Sequence, residues 1–316
     1  MSDIALSTTQ VGDSTKYLDT ALVEQVCEVP VYVLSQIISS DIVVYCDNNG
    51  SGRALQWVED YVTHEVLPTH ATRCTALSYT SGQSELYRSE SKALIRSAVG
   101  ACPEDVVVLG ASLPRFLRAL QPQRVTLFVS SRETERQLTP WRECGAEIIK
   151  IPESKEGFID LNNLENRLQQ HSGNGRRMIG FFPAASKLTG VLADDVATTL
   201  LLHQYGAWSF WDYSLVAPSS VVDMNPTFPG LDEEMVKKDA LFFDCEKFVG
   251  GIQGPYVAVV KKEVFRTTPV YCDDVEILSE RVEELRLTEA VRAAIVMQLR
   301  DAVGLQKIVE RQDHIT

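Results

Sequence analysis

The sequence has no long apolar run, no paired cysteines, few histidines and no surplus of positive charge. Each absence narrows the field. A bilayer-crossing helix needs about 20 apolar residues in a row, and no stretch here supplies them. The start, Met1-Ser2-Asp3-Ile4, has neither the basic region nor the apolar core of a secretory leader. The seven cysteines are Cys27, Cys46, Cys74, Cys102, Cys144, Cys245 and Cys272. They are odd in number, scattered and without a C-x-x-C pair, which reads as reduced thiols in the cytosol, not a disulfide framework or a zinc site. The histidines (His64, His70, His171, His203, His314) show no metal-ligand spacing. The formal net charge of -13 argues against nucleic acid and anionic membrane surfaces as partners. It leaves room for a small anion in a locally positive pocket. The expectation is a cytoplasmic globular protein.

What is present fits a large core. The chain has 316 residues, 45% hydrophobic and 23% charged, enough for one large domain or two modest ones. Short β-rich runs alternate with helical patterns. Strands are expected at 42–46, 106–109, 125–129, 147–151, 178–182, up to 211, up to 243, and at 256–260. Helices are expected from Gly52 through about His64, from about Ser84 to Val99, from Pro114, from Glu133 to Cys144, from Leu161 to Gln170 and from Asp194 to Tyr205. An amphipathic helical tail runs from Asp274 to Arg311, interrupted near Gly304. This alternation predicts an α/β fold with a mostly parallel sheet between helical layers.

Two residues stand out. Asp212 ends the run Trp208-Ser209-Phe210-Trp211, and Lys247 follows Phe242-Phe243-Asp244-Cys245-Glu246. Both fall at the carboxyl ends of buried strands, where open α/β sheets bind ligands. A lysine and a carboxylate converging there suit a pyridoxal phosphate enzyme. The lysine forms a Schiff base and the carboxylate keeps the pyridine nitrogen protonated. The plainer readings are an exposed lysine after a strand and a carboxylate capping a turn.

Several segments, covering about residues 43 to 312, carry a resemblance. Asp47-Asn48-Asn49-Gly50-Ser51-Gly52, Thr139-Pro140-Trp141-Arg142 with Gly145-Ala146, and Gly157-Phe158-Ile159-Asp160-Leu161 are three of them. Ser186-Lys187-Leu188-Thr189-Gly190-Val191-Leu192, Trp211-Asp212-Tyr213-Ser214-Leu215-Val216-Ala217-Pro218 and Lys247-Phe248-Val249-Gly250-Gly251 are three more. Together they resemble class V aminotransferases, the fold-type I pyridoxal phosphate enzymes that include cysteine desulfurases and isopenicillin N epimerase-like proteins. The resemblance implies a three-layer sandwich, a pyridoxal 5'-phosphate cofactor, a small amino-acid substrate and a homodimer. Lys247 would carry the Schiff base. Asp212 would face the ring nitrogen. The loop Ala111-Ser112-Leu113 would hold the phosphate. Thr134, Lys187, Leu215, Asp244 and Glu246 would line the cofactor. By domain, residues 1–40 form an N-terminal arm, 41–265 the large domain and 266–316 a helical remnant of a shortened C-terminal domain.

The same positions depart from the family pattern. Thr134 stands where a histidine stacks on the ring. Leu113 and Pro114 replace donors of the phosphate loop. Lys187 replaces an asparagine, Leu215 a glutamine, Asp244 a phosphate-binding serine, and Glu246 the histidine before the lysine. A carboxylate about 4 Å from a phosphate costs roughly 4 kcal/mol per unit-charge pair at an effective dielectric near 20. A helix N-terminus returns about 0.3–1 kcal/mol, or ~2 when partly buried. One such carboxylate therefore outweighs the dipole unless it is protonated or turned away. The run Phe265–Asp274 passes almost directly into the helix that carries Leu287, without the glycine-rich stretch the resemblance leads one to expect. Two functions stay open: an enzyme acting on an amino acid through Lys247, or an inactive descendant serving as a binding or dimer partner. Smaller features also read two ways. Arg73 and Lys187 are anion ligands or solvated cations. Gly50-Ser51-Gly52 suits a tight turn better than a phosphate loop. Cys245 suits packing better than reactivity, given its acidic neighbours.

Overall fold

A computed structural model describes residues 50–71, 78–110, 116–117, 124–266 and 287–315. The expected arm at 1–40, the strand at 42–46, Arg73, the loop Ala111–Leu113 and the run after Arg266 up to 286 lie outside the described residues.

Seven β-rich runs form one sheet. In chain order they are β1 (Val106–Leu109), β2 (Val125–Ser130), β3 (Glu147–Ile151), β4 (Arg177–Pro183), β5 (Trp208–Asp212), β6 (Ala240–Asp244) and β7 (Tyr256–Val260). Their spatial order is β1-β7-β6-β5-β4-β2-β3. The run from β3 to β6 is parallel, and β7 is antiparallel to both of its neighbours. Strands buried on both faces read as continuous apolar runs, and Val125–Ser130 is buried at every position.

The period-2 alternation of each strand divides the core in two. One face carries Phe128, Phe182, Trp211 and Phe243, packed on Leu164, Leu202, Ala293 and Met297 from the helices. The other carries Phe181, Phe210 and Phe242, packed on Phe116 and Trp141. Phe116 meets Phe242 edge to face with ring centroids 5.4 Å apart. Such pairs add about 0.5–1.5 kcal/mol beyond the area they bury. Asp212 shares the second face with Phe210, two residues earlier. Asp244 shares it with Phe242 by the same count.

The helices are α1 (Gln56–Tyr61), α2 (Tyr79–Ala98), α3 (Glu135–Glu143), α4 (Leu161–His171), α5 (Asp195–Gln204), α6 (Glu233–Val236), α7 (Lys262–Arg266), α8 (Leu287–Val303) and α9 (Leu305–Ile315). Several begin on a side-chain cap, which satisfies an orphan backbone donor. Ser78 Oγ accepts from Ser81 N at 3.2 Å, Asp160 Oδ1 from Asn163 N at 3.0 Å, and Asp194 Oδ1 from Ala197 N at 2.9 Å. The Ser78 cap explains why α2 starts earlier than the expected Ser84. Helix α1 starts later than expected and passes at Val62 into a wider π turn. Residues before it are held against the loop around Lys247, as described below. The tail breaks at Gly304, whose φ of 86° suits a residue without a Cβ. Arg292 of α8 forms a two-pronged ion pair with Glu59 of α1. Among the described residues no helix is long and apolar enough to cross a membrane.

His203 fastens α5 to the turn before β6. Its Nδ1 lies 2.9 Å from Met235 O and its Nε2 2.9 Å from Asp239 Oδ2. Two acceptors favour a ring protonated at both nitrogens. Burial opposes that charge, but the hydrogen bond and charge of Asp239, with the Met235 carbonyl, outweigh it and raise the pKa above 6.5. A raised folded pKa gives stability that is complete below the unfolded value and is lost as pH rises through the folded one. His203→Gln is therefore expected to cost about 1–2 kcal/mol at pH 6. The cost should shrink by pH 9, as read from urea midpoints. A cost independent of pH would show a neutral ring.

Candidate functional site

The carboxyl ends of β5 and β6 lie side by side, with Asp212 paired to Phe242 in the sheet register. That adjacency brings Asp212, Asp244 and Lys247 to one edge. Asp212 is 8% exposed. Its Oδ1 accepts from Ser214 N at 3.0 Å, which shapes the turn leaving the strand. Its Oδ2 lies 3.6 Å from Lys187 Nζ. Lys187 follows β4 in the next loop, held there by Ser186 N donating to Val191 O at 2.9 Å. Beyond the turn, the Tyr213 hydroxyl donates to Asp195, and buried Lys238 Nζ lies 2.9 Å from Asp195 Oδ2. Burial and the Asp195 charge push the Tyr213 phenol well above its usual range.

Lys247 ends a single 3₁₀ turn, Cys245–Lys247, directly after β6. Asp244 caps that turn, its Oδ1 accepting from Glu246 N at 3.0 Å. Lys247 Nζ donates to Gly50 O at 2.5 Å. The glycine turn and the lysine loop interlock. Gly52 N donates to Glu246 O at 2.6 Å, and Gly250 N to Arg53 O at 2.7 Å. A Cβ on Gly52 would lie 1.7 Å from the Phe248 carbonyl oxygen. So Gly50-Ser51-Gly52 works here as a close-packing turn against Lys247, as its sequence suggested. Cys245 is fully buried, and burial raises its thiol well above the usual value, in line with a packing role.

Asp244, Glu246 and Glu133 at this edge are shifted towards their neutral forms. Burial raises the Asp244 pKa against the pull of Lys247, with Asp212 adding to the rise. Burial also raises Glu246, which Asp244 pushes further in the same direction. Glu133 was passed over in the sequence, where the run Glu133-Thr134-Glu135 drew notice only for Thr134. It is 6% exposed, and its Oε2 has no hydrogen-bond partner. Burial raises its pKa; Lys187 and Lys150 lower it and Asp212 raises it. Tyr256 also faces this edge, opposite Asp244 in the register. Burial, then the Asp212 charge, push its phenol well above the usual value. The sequence signal for it was the strand alternation that puts Tyr256, Ala258 and Val260 on one face.

Two further expected site residues make these contacts. Thr134 is exposed and caps α3, its N and Oγ1 donating to Gln137 Oε1 at 3.4 and 2.9 Å. Leu215 packs on the core of the opposite sheet face. Among the described residues no cluster suits a metal ion.

No protein-family model and no curated protein sequence matches the chain. Solved structures do. Cysteine desulfurase from Thermococcus onnurineus NA1, in its apo form, matches with a TM-score of 0.66 and 19% identity, covering 86% of this chain and 72% of that one. A NifS-like protein from Rickettsia africae ESF-5 matches with a TM-score of 0.65 and 17% identity, covering 86% and 75%. SspA, solved in complex with cysteine, matches with a TM-score of 0.62 and 14% identity, covering 81% and 72%. The fold is therefore that of the fold-type I pyridoxal phosphate enzymes.

Among the described residues, Asp212 and Asp244 fit that cofactor poorly. Its ring nitrogen would need Asp212, whose outer oxygen already faces Lys187 Nζ. Its phosphate would meet the carboxyl of Asp244, which also uses the Glu246 backbone N–H.

The interlock gives a direct test. Gly52→Ala must move the Phe248 backbone, and a loss of about 2 kcal/mol or more is expected. Gly82 in α2 has open space at its Cβ position, so Gly82→Ala should gain about 0.5–1 kcal/mol from helix propensity. Equal urea midpoints for the two variants would contradict the packing described.

Proposed function

We propose that this chain is a non-catalytic member of the fold-type I architecture, one that acts through binding and assembles as a dimer. The observation that carries the reading is the Lys187–Asp212 contact at 3.6 Å, which gives the ring-nitrogen carboxylate a partner from the chain itself. The acidic pair Asp244 and Glu246 on either side of Cys245 supports it, because both stand against a phosphate. Exposed Leu188, Leu192 and Phe158 lie on two loops that meet at Gly157 and Val191, beside Lys187. Apolar groups grouped in this way suit a protein partner.

A second reading has its own support. Asp212 and Lys247 stand at neighbouring strand ends, as an enzyme acting on an amino acid through a Lys247 Schiff base would require. Visible absorbance during titration with pyridoxal phosphate separates the two, followed by borohydride reduction and peptide mapping. The expected result is no saturable band and no label on Lys247. A saturating band with the label on Lys247, lost in Lys247→Ala, would establish the second reading. The double variant Asp244→Ser, Glu246→His should gain cofactor affinity by about tenfold, since roughly a third of one full close repulsion already supplies the 1.4 kcal/mol that tenfold needs.

A further inference from the structure

Glu133, Asp212 and Lys187 come from three separate segments: the turn after β2, the end of β5 and the loop after β4. Two are carboxyl groups nine-tenths buried or more, at 6% and 8% exposure, and the third is an amine half open to solvent. The Asp212 charge acts on Glu133, and two buried carboxyls that feel each other repel and lose hydration. Asp212 uses one oxygen on Ser214 N and turns the other to Lys187 Nζ. Glu133 Oε2 meets no donor at all.

We propose that Lys187 is a built-in counter-ion: its ammonium group occupies the cation position at Asp212, offsets the Glu133 charge as well, and so closes that position to an external cation. The inference rests on the non-catalytic reading and adds the residue that enforces it. It also explains why a long cation fits at this place in the loop. The side chain reaches inward from an exposed backbone, so its charge stays partly hydrated while its end serves the buried acids.

The groups facing this trio set the expected pH dependence. Lys150 of β3 lowers the Glu133 pKa, and Asp212 raises it. Asp244 of β6 feels Asp212. Tyr256 of β7 feels Asp212, Asp244 and Glu133. Lys150 is the second cation acting on Glu133, so removing Lys187 leaves the acids under-compensated but not wholly bare. Glu133 has a raised folded pKa, so it costs stability as pH climbs from the unfolded value through the folded one. Without Lys187 that cost should grow at neutral pH and fade in acid.

The test is thermal melting without any cofactor. Lys187→Met is expected to lower the melting temperature by about 3–6 °C at pH 7.5 and by less than half of that at pH 5. Lys187→Arg should melt close to the unchanged protein. Adding Glu133→Gln to Lys187→Met should recover at least half of the loss. If Lys187→Met yields no folded protein, the double variants with Glu133→Gln and with Asp212→Asn decide: a restored cooperative melt supports the proposal, and none overturns it. A Lys187→Met melt equal to the original at both pH values would overturn it too, as would a loss that Glu133→Gln fails to relieve. These melts contain no cofactor, so their failure leaves the absorbance titration to judge the non-catalytic reading by itself.

Discussion

A carboxylate buried at the end of a central strand must find a cation or give up its charge. Asp212 is such a group, and much of the surrounding arrangement follows from it. Two more carboxyls, Glu133 and Asp244, converge on the same sheet edge, and burial shifts both towards their neutral forms. Lys187 answers from one side and Lys247 lies on the other. The edge therefore balances its own charges, and that balance decides what else can enter. On the proposed reading, a dianionic phosphate would meet the carboxyl of Asp244 there. A ring cation meets an acid that already has a partner.

The fold is shared with the solved desulfurase and NifS-like structures at 19% and 17% sequence identity. The Lys247 loop is packed too tightly to relax. Gly52, Gly251 and Gly254 each bring backbone to within a distance where a Cβ would collide. That packing is independent of what the lysine does chemically. It holds Lys247 near Gly50 whether or not the amine ever reacts. Backbone packing alone can thus fix the position of Lys247, whatever the charges of the groups around it.

The sheet was legible because its strands are apolar on both faces and bounded by turns. Asp212 and Lys247 were legible because they interrupt such runs at their carboxyl ends. The interruption at Gly304 was legible from the glycine itself. Other features depend on partners distant in sequence. Helix α1 starts late because the residues before it dock on the loop at 246–250, which no local pattern announces. Thr134 looked like a failed stacking residue and is a helix cap. Leu215 packs against the core, a contact made with residues distant in sequence. Glu133 was missed because a lone glutamate after a strand ordinarily faces water. Only the fold brings the charges of Lys187, after β4, and Asp212, at the end of β5, to act on it.

The most direct measurement is a crystal structure grown at saturating pyridoxal phosphate. The account predicts Lys187 Nζ against Asp212 and no ring density at that carboxylate. A ring seated on Asp212 and joined to Lys247, with Lys187 turned away, would contradict it.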